Sequence, residues 1–184
     1  MQRTLLTHIE AEYLRYKTLG EGALRQLRAE EMVMHAAGAN SVAVIVWHLA
    51  GNLESRFTDF LTSDGEKPWR HRDSEFEPRQ ATPASIRKKW DRGWRLLLAS
   101  LRELSDDDLG RSVTIRGIAL RVDEALLRSL AHVAYHVGQI VYVAKSRRGD
   151  AWQSLTIPPG RSEEYRTDPP LARDARRATK PANP

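Results

Sequence analysis

Apolar residues recur at three- and four-residue steps from position 4 to about 27, through Leu5, Leu6, Ile9, Tyr13, Tyr16, Leu19, Ala23, Leu24 and Leu27. That spacing keeps one side of a helix apolar and predicts an amphipathic helix. Gly20 and Gly22 weaken its second half, since glycine costs about 1 kcal/mol against alanine in a helix interior. A bend or a second short helix is equally readable there. After a connection at 37–41, with Asn40 or Ser41 as N-cap, the chain is apolar through Leu49. The β-branched run Val42, Val44, Ile45 and Val46 taken alone fits a strand as well as a helix. Leu49, Leu53, Phe57 and Leu61 then follow at steps of four, which favours one helix to about residue 62, deeply buried in its first half.

Residues 63–81 lose all periodicity and mix charge with aromatics, forming a loop longer than the roughly 12–15 residues that purely connecting loops reach. Thr82 and Pro83 supply an N-cap and a first-turn proline for a third helix through Ile86, Trp90, Trp94, Leu97, Leu98 and Leu101, with Arg87, Lys88, Arg92 and Arg95 on its other face. The alternation at 112–121 around Gly117 predicts a small β-hairpin. A fourth long helix runs from Val122 to about Ser146, before Arg147-Arg148-Gly149. Residues 152–160 read as an extended segment packed back through its apolar members, and 172–184 as a frayed or disordered tail rich in Ala, Arg and Pro. The expected fold is all-α, with one helical domain over 1–162 and a polar C-terminal tail over 163–184.

Composition narrows the picture. A chain of 184 residues supports a single substantial core. No apolar run approaches the roughly 20 residues of a bilayer span, and residues 1–10 lack the apolar core of a secretory signal, so the expected location is cytoplasmic. The absence of cysteine removes disulfides, thiolate ligands and a cysteine nucleophile, leaving histidine, carboxylates and water to hold any metal. The net charge of +5 comes from 29 basic and 24 acidic residues that interleave along the chain. Although the pI is about 9.7, no recognition-helix motif or base-stacking platform accompanies it, so nucleic acid is not an expected partner.

The candidate chemistry lies in the second and fourth helices. His132 and His136 are four apart, which stacks both imidazoles on one helix face where their nitrogens can converge on one ion. Ser129, His132, His136, Gln139 and Val143 share that flank, apart from the apolar stripe of Leu126, Leu130, Val133, Val137, Ile140, Val141 and Ala144. His48 is the one ionisable residue in its apolar run. If the two helices are neighbours, it meets the pair in the bundle interior, and Gly138 would let the helices approach closely. Three imidazoles leave a coordination position open, as catalytic metal sites do. The plainer alternative is that a histidine pair falls on a surface helix by accident and a buried histidine is satisfied by one hydrogen bond. Val133 stands where a zincin helix carries its glutamate base, which disfavours a protease mechanism. Asn52, Ser129 and Gln139 are candidates to orient a ligand or substrate, and Trp69 is a candidate pocket lid. His8, His35 and His71 lack partners at ligand spacing.

Trp47-His48-Leu49 with Gly51-Asn52, and the stretch from His132 through Tyr135-His136-Val137-Gly138-Gln139-Ile140, resemble the two signatures of the DinB/YfiT-like superfamily. The segments 56–69 and 152–162 resemble a branch of it catalogued as a domain of unknown function. This resemblance implies a four-helix bundle with a long crossover connection and metal ligation by His48, His132 and His136. It implies zinc or nickel as the divalent ion and a homodimer. It also implies a metal-dependent reaction on a small molecule, either hydrolysis or an S-transfer that uses a low-molecular-weight thiol. Many relatives carry a histidine or an acidic residue just before or within the histidine pair, where this chain has Ser129 and Val133. A non-catalytic dimeric scaffold or stress-response binding module is the alternative function.

Overall fold

The computed structural model describes residues 3–35, 38–78 and 80–167. Four long helices dominate: α1 (Thr4–Gln26), α3 (Val42–Phe57), α4 (Pro83–Glu103) and α5 (Val122–Arg148), with the short α2 (Ala29–Val33) between the first two. The fold is an all-α bundle with one small hairpin. Within the unit spanning residues 1–151, α3 packs most extensively on α4, and α1 on α5. A further contact of α3 with α5 brings the two histidine-bearing helices together.

Helix α1 runs unbroken through both of its glycines, because burial outweighs their poor propensity. At Gly20 the indole of Trp90 occupies the space a side chain would need, and a Cβ there would lie 2.4 Å from the ring. The rings of Trp90, Trp94 and Tyr13 form one aromatic cluster at the bundle centre. The Tyr13 hydroxyl donates to the Leu126 carbonyl at 2.8 Å, tying α1 to α5.

Ser41 is the cap that opens α3, its hydroxyl accepting from the Val44 amide. Val42, Ala43, Val44, Ile45 and Val46 are all buried, as a helix apolar on every side requires. The helix stops at Phe57, short of the expected end near 62. Both the amide and the hydroxyl of Thr58 bond to the Glu54 carbonyl, and Asp59 then turns the chain out with φ 48°. Leu61 therefore keeps the helical spacing without continuing the helix. Against α3, Gly93 of α4 comes so close that a Cβ would sit 2.9 Å from the Ala50 Cα. Beside it the buried Glu54 carboxylate receives Lys89 at 2.8 Å.

The hairpin forms where alternation predicts it, with β1 (Ser112–Ile115) antiparallel to β2 (Ile118–Arg121) and Ile115 opposite Ile118. Arg116 and Gly117 make the two-residue turn, both with positive φ (56° and 74°), the conformation such tight hairpin turns require. Asp64 fixes the turn from outside, its carboxylate accepting from the amides of Arg116 and Gly117 at 2.8 Å each. The Gly65 amide adds a bond to the Thr114 carbonyl.

Gly138 does not serve helix approach. A Cβ there would meet nothing within 4 Å, because this side of α5 is exposed. The close approaches of α3 fall at Gly93 and at its own Gly51. Residues 152–167 belong to a second unit, with bends and turns over 152–161 and then α6 (Ser162–Thr167), which spans the expected 162/163 boundary. The rest of the expected C-terminal tail, 168–184, lies outside the described residues. Among the described residues no helix is long and apolar enough to cross a membrane.

Candidate metal centre

The apolar pattern of α3 forces His48 inward, where it is only 5% exposed. Helix α5 presents His132 and His136 on the flank beside its buried stripe, and the three rings pack edge to face. Their Nε2 atoms converge: His48 and His132 at 3.3 Å, His132 and His136 at 3.1 Å. Two ligands of a tetrahedral ion bound at about 2.0–2.1 Å stand roughly 3.3 Å apart, so these separations match the edges of such a site.

The partners of the opposite ring nitrogens are acceptor oxygens, which assigns a proton to Nδ1 of His48 and of His136. His48 Nδ1–H donates to Glu75 Oε2 at 2.9 Å, and His136 Nδ1–H donates to Gln139 Oε1 at 2.8 Å. In a neutral imidazole with Nδ1 protonated, Nε2 carries a lone pair. Two lone pairs therefore point at the space beside His132 Nε2. Burial, together with the neighbouring His136 and His48, pushes His132 down to about 3, and burial also lowers His136. These two stay uncharged near neutral pH, the form that binds metal. Among the described residues, His48, His132 and His136 are the group that could hold a metal ion.

Behind His48 stands a buried charge pair. Arg70, whose side chain is 2% exposed, reaches both Glu75 oxygens, from Nε at 2.9 Å and from Nη2 at 3.0 Å. Burial raises the Glu75 carboxyl, but bonds from His48 and Arg70 outweigh it, so the group is held below the usual carboxylate range. Gly51 makes room for this carboxylate, since a Cβ there would lie 2.2 Å from Glu75 Oε1. Phe76 covers His48, with ring centroids 4.6 Å apart. A carboxylate behind a ligating histidine fixes ring orientation and raises basicity, the arrangement found behind many metal-bound imidazoles.

A cavity of about 190 Å³ opens beside His48 and His132, with Asn52 and Ser129 on its lining. Gln139 is used by His136 instead, and Trp69 is half-exposed and absent from the lining. His8, His35 and His71 are exposed and away from the cluster. Sequence reasoning missed Glu75, Arg70 and Phe76. They lie in the aperiodic stretch after α3, partly on the 3-10 turn Asp73–Phe76. The remaining signal was an aromatic beside a carboxylate in a loop too long to be only a connection.

A helical bundle with three convergent imidazoles, one braced by a buried carboxylate, defines a class of protein whose site could hold a divalent ion. The chain belongs to the family described as "Protein of unknown function (DUF1572)", which matches residues 1–161. No curated protein matches it.

Proposed function

We propose that this protein is a metal-dependent enzyme of the DinB-like kind, holding zinc or nickel on His48, His132 and His136 and acting on a small molecule by S-transfer or hydrolysis. The supporting observation is the convergence of three Nε2 atoms with two Nδ1 atoms already committed to Glu75 and Gln139. A divalent ion held by these three histidines would supply Lewis acidity, lowering the pKa of a bound water or thiol. Glu75 and Gln139 hold the rings in register, while Asn52 and Ser129 face the cavity and are placed to orient a substrate. No carboxylate is among the lining residues, so no obvious general base is at hand. That favours a thiol over water as nucleophile, since a thiol at about 8.5 needs only a small shift to ionise near neutral pH. Zinc-loaded protein should accelerate consumption of a low-molecular-weight thiol by 1-chloro-2,4-dinitrobenzene, and the His136→Ala variant should not. Equal rates for the two proteins contradict the reading.

The missing carboxylate also favours a second reading, a non-catalytic dimeric scaffold. Both readings take the chain to be a cytoplasmic homodimer. Support for self-association comes from α5, whose outer side exposes Leu127, Tyr135 and Tyr142, at 57%, 64% and 76%, alongside Gly138. Light scattering after size exclusion tests the dimer, with a monomer mass contradicting it. A scaffold that needs no metal keeps its melting temperature on chelation, whereas the enzyme reading predicts a drop.

A further inference from the structure

The cavity beside the histidines is lined by Arg56, Arg70, Arg72, Arg116 and Arg128, and by no carboxylate. Some of this charge is already neutralised. Arg70 is matched by Glu75. Arg56 and Arg116 share one carboxylate, Glu66, at 3.3 and 3.0 Å. Arg72 stands 3.5 Å from the exposed Asp73. Arg128, one helical turn before His132 on α5, makes no ion pair among the described residues. With the Asp64 carboxylate on the Arg116 and Gly117 amides counted as well, five guanidinium groups face four acids, and Arg128 is the one left without an ion pair among the described residues. A bound divalent ion would add to this positive excess.

The same walls carry apolar surface from Phe57, Phe60 and Val113. A cavity of about 190 Å³ admits a small molecule rather than a polymer backbone. Clustered positive charge in a recess raises the local concentration of anions, and the planar guanidinium fork matches carboxylate and phosphate oxygens.

We propose that the substrate of this site is a small organic anion, a carboxylate or phosphate monoester with an apolar body, whose charged end is held by Arg128 together with the Arg56–Arg116 pair. This rests on the reading of the adjacent histidines as the reaction centre. It gives the hairpin a purpose, since β1 and the turn residue Arg116 form one wall of the anion site.

The test uses the zinc-loaded full chain, titrated calorimetrically with benzoate, phenyl phosphate and the neutral benzamide, with zinc content measured on the same samples. Wild type should bind one or both anions about tenfold or more tightly than benzamide, as a charge-assisted bond implies. Arg128→Met should remove about that factor and Arg128→Lys recover part of it, zinc content staying constant. Arg128 is exposed and unpaired among the described residues, so its replacement leaves the fold intact. If the chain holds no zinc yet binds phenyl phosphate in an Arg128-dependent way, the metal reading fails and the anion site stands. Anions binding no better than benzamide, or equally well to wild type and Arg128→Met, overturn the proposal.

Discussion

His48 Nδ1 donates a 2.9 Å hydrogen bond to Glu75 Oε2, joining the buried middle of α3 to a turn twenty-seven residues further along the chain. The loop after α3 thereby fixes the orientation of a histidine on the bundle core. Arg70 in turn compensates the carboxylate, so the assembly is a chain of three buried polar groups with each member satisfied.

Glu75→Gln should weaken metal binding by roughly 10–100-fold, the usual cost of losing the group behind a ligating histidine. It should also lower the melting temperature, because Arg70 would lose the carboxylate that receives both its bonds. Competition with a chromophoric zinc chelator reads the affinity. An unchanged affinity would show that His48 does not need its partner.

Two glycine-to-alanine changes should have opposite effects. Gly51→Ala places a Cβ 2.2 Å from Glu75 Oε1 and should displace the carboxylate, weakening metal binding without altering any ligand. Gly138→Ala meets nothing within 4 Å in an exposed helical position, and should raise stability by about 0.5–1 kcal/mol through helix propensity alone. Chelator competition reads the first and denaturant unfolding the second. A destabilised Gly138→Ala would mean that this side of α5 is covered by another molecule.

The metal-free protein should lose stability on acidification. Burial, with His136 and His48 nearby, holds His132 down to about 3 in the fold, against 6.5 for the free side chain. Between those values the unfolded chain binds a proton that the folded chain refuses, so stability rises with pH and falls as pH drops below about 6.5. Thermal melts in excess chelator should follow that slope, and His132→Asn should flatten it. Parallel slopes for the two proteins contradict the assignment.

Asp64→Ala should loosen the cavity wall. The carboxylate accepts from the Arg116 and Gly117 amides and sits well below its ordinary pKa because of those backbone bonds. Without it, the two amides should exchange hydrogen faster while those of α5 keep their protection. Unchanged exchange at the turn would show that the hairpin holds itself.

The histidine triad was legible because helical periodicity carries it: a four-residue step on α5 and an ionisable residue inside an apolar run on α3. The hairpin was legible from alternation around Gly117. Glu75 was not, since nothing in local sequence separates a buried carboxylate from its exposed neighbours Asp73 and Glu77. Its role depends on a contact with Gly51 and His48 that only the fold creates. The end of α3 was misplaced for a related reason. Leu61 keeps the period, but the extended backbone of Thr58 (ψ 123°) and the left-handed Asp59 end the helix before it. Gly138 was read as allowing close helix approach because it has no side chain, whereas its place off the buried stripe of Val133, Val137, Ile140 and Ala144 turns it outward.

The most direct test is elemental analysis of protein purified without an affinity tag, beside His132→Ala and His136→Ala. The expected result is one divalent metal per wild-type chain and its loss from both variants. A wild type that takes up no metal on reconstitution, or variants that hold as much as wild type, would contradict it.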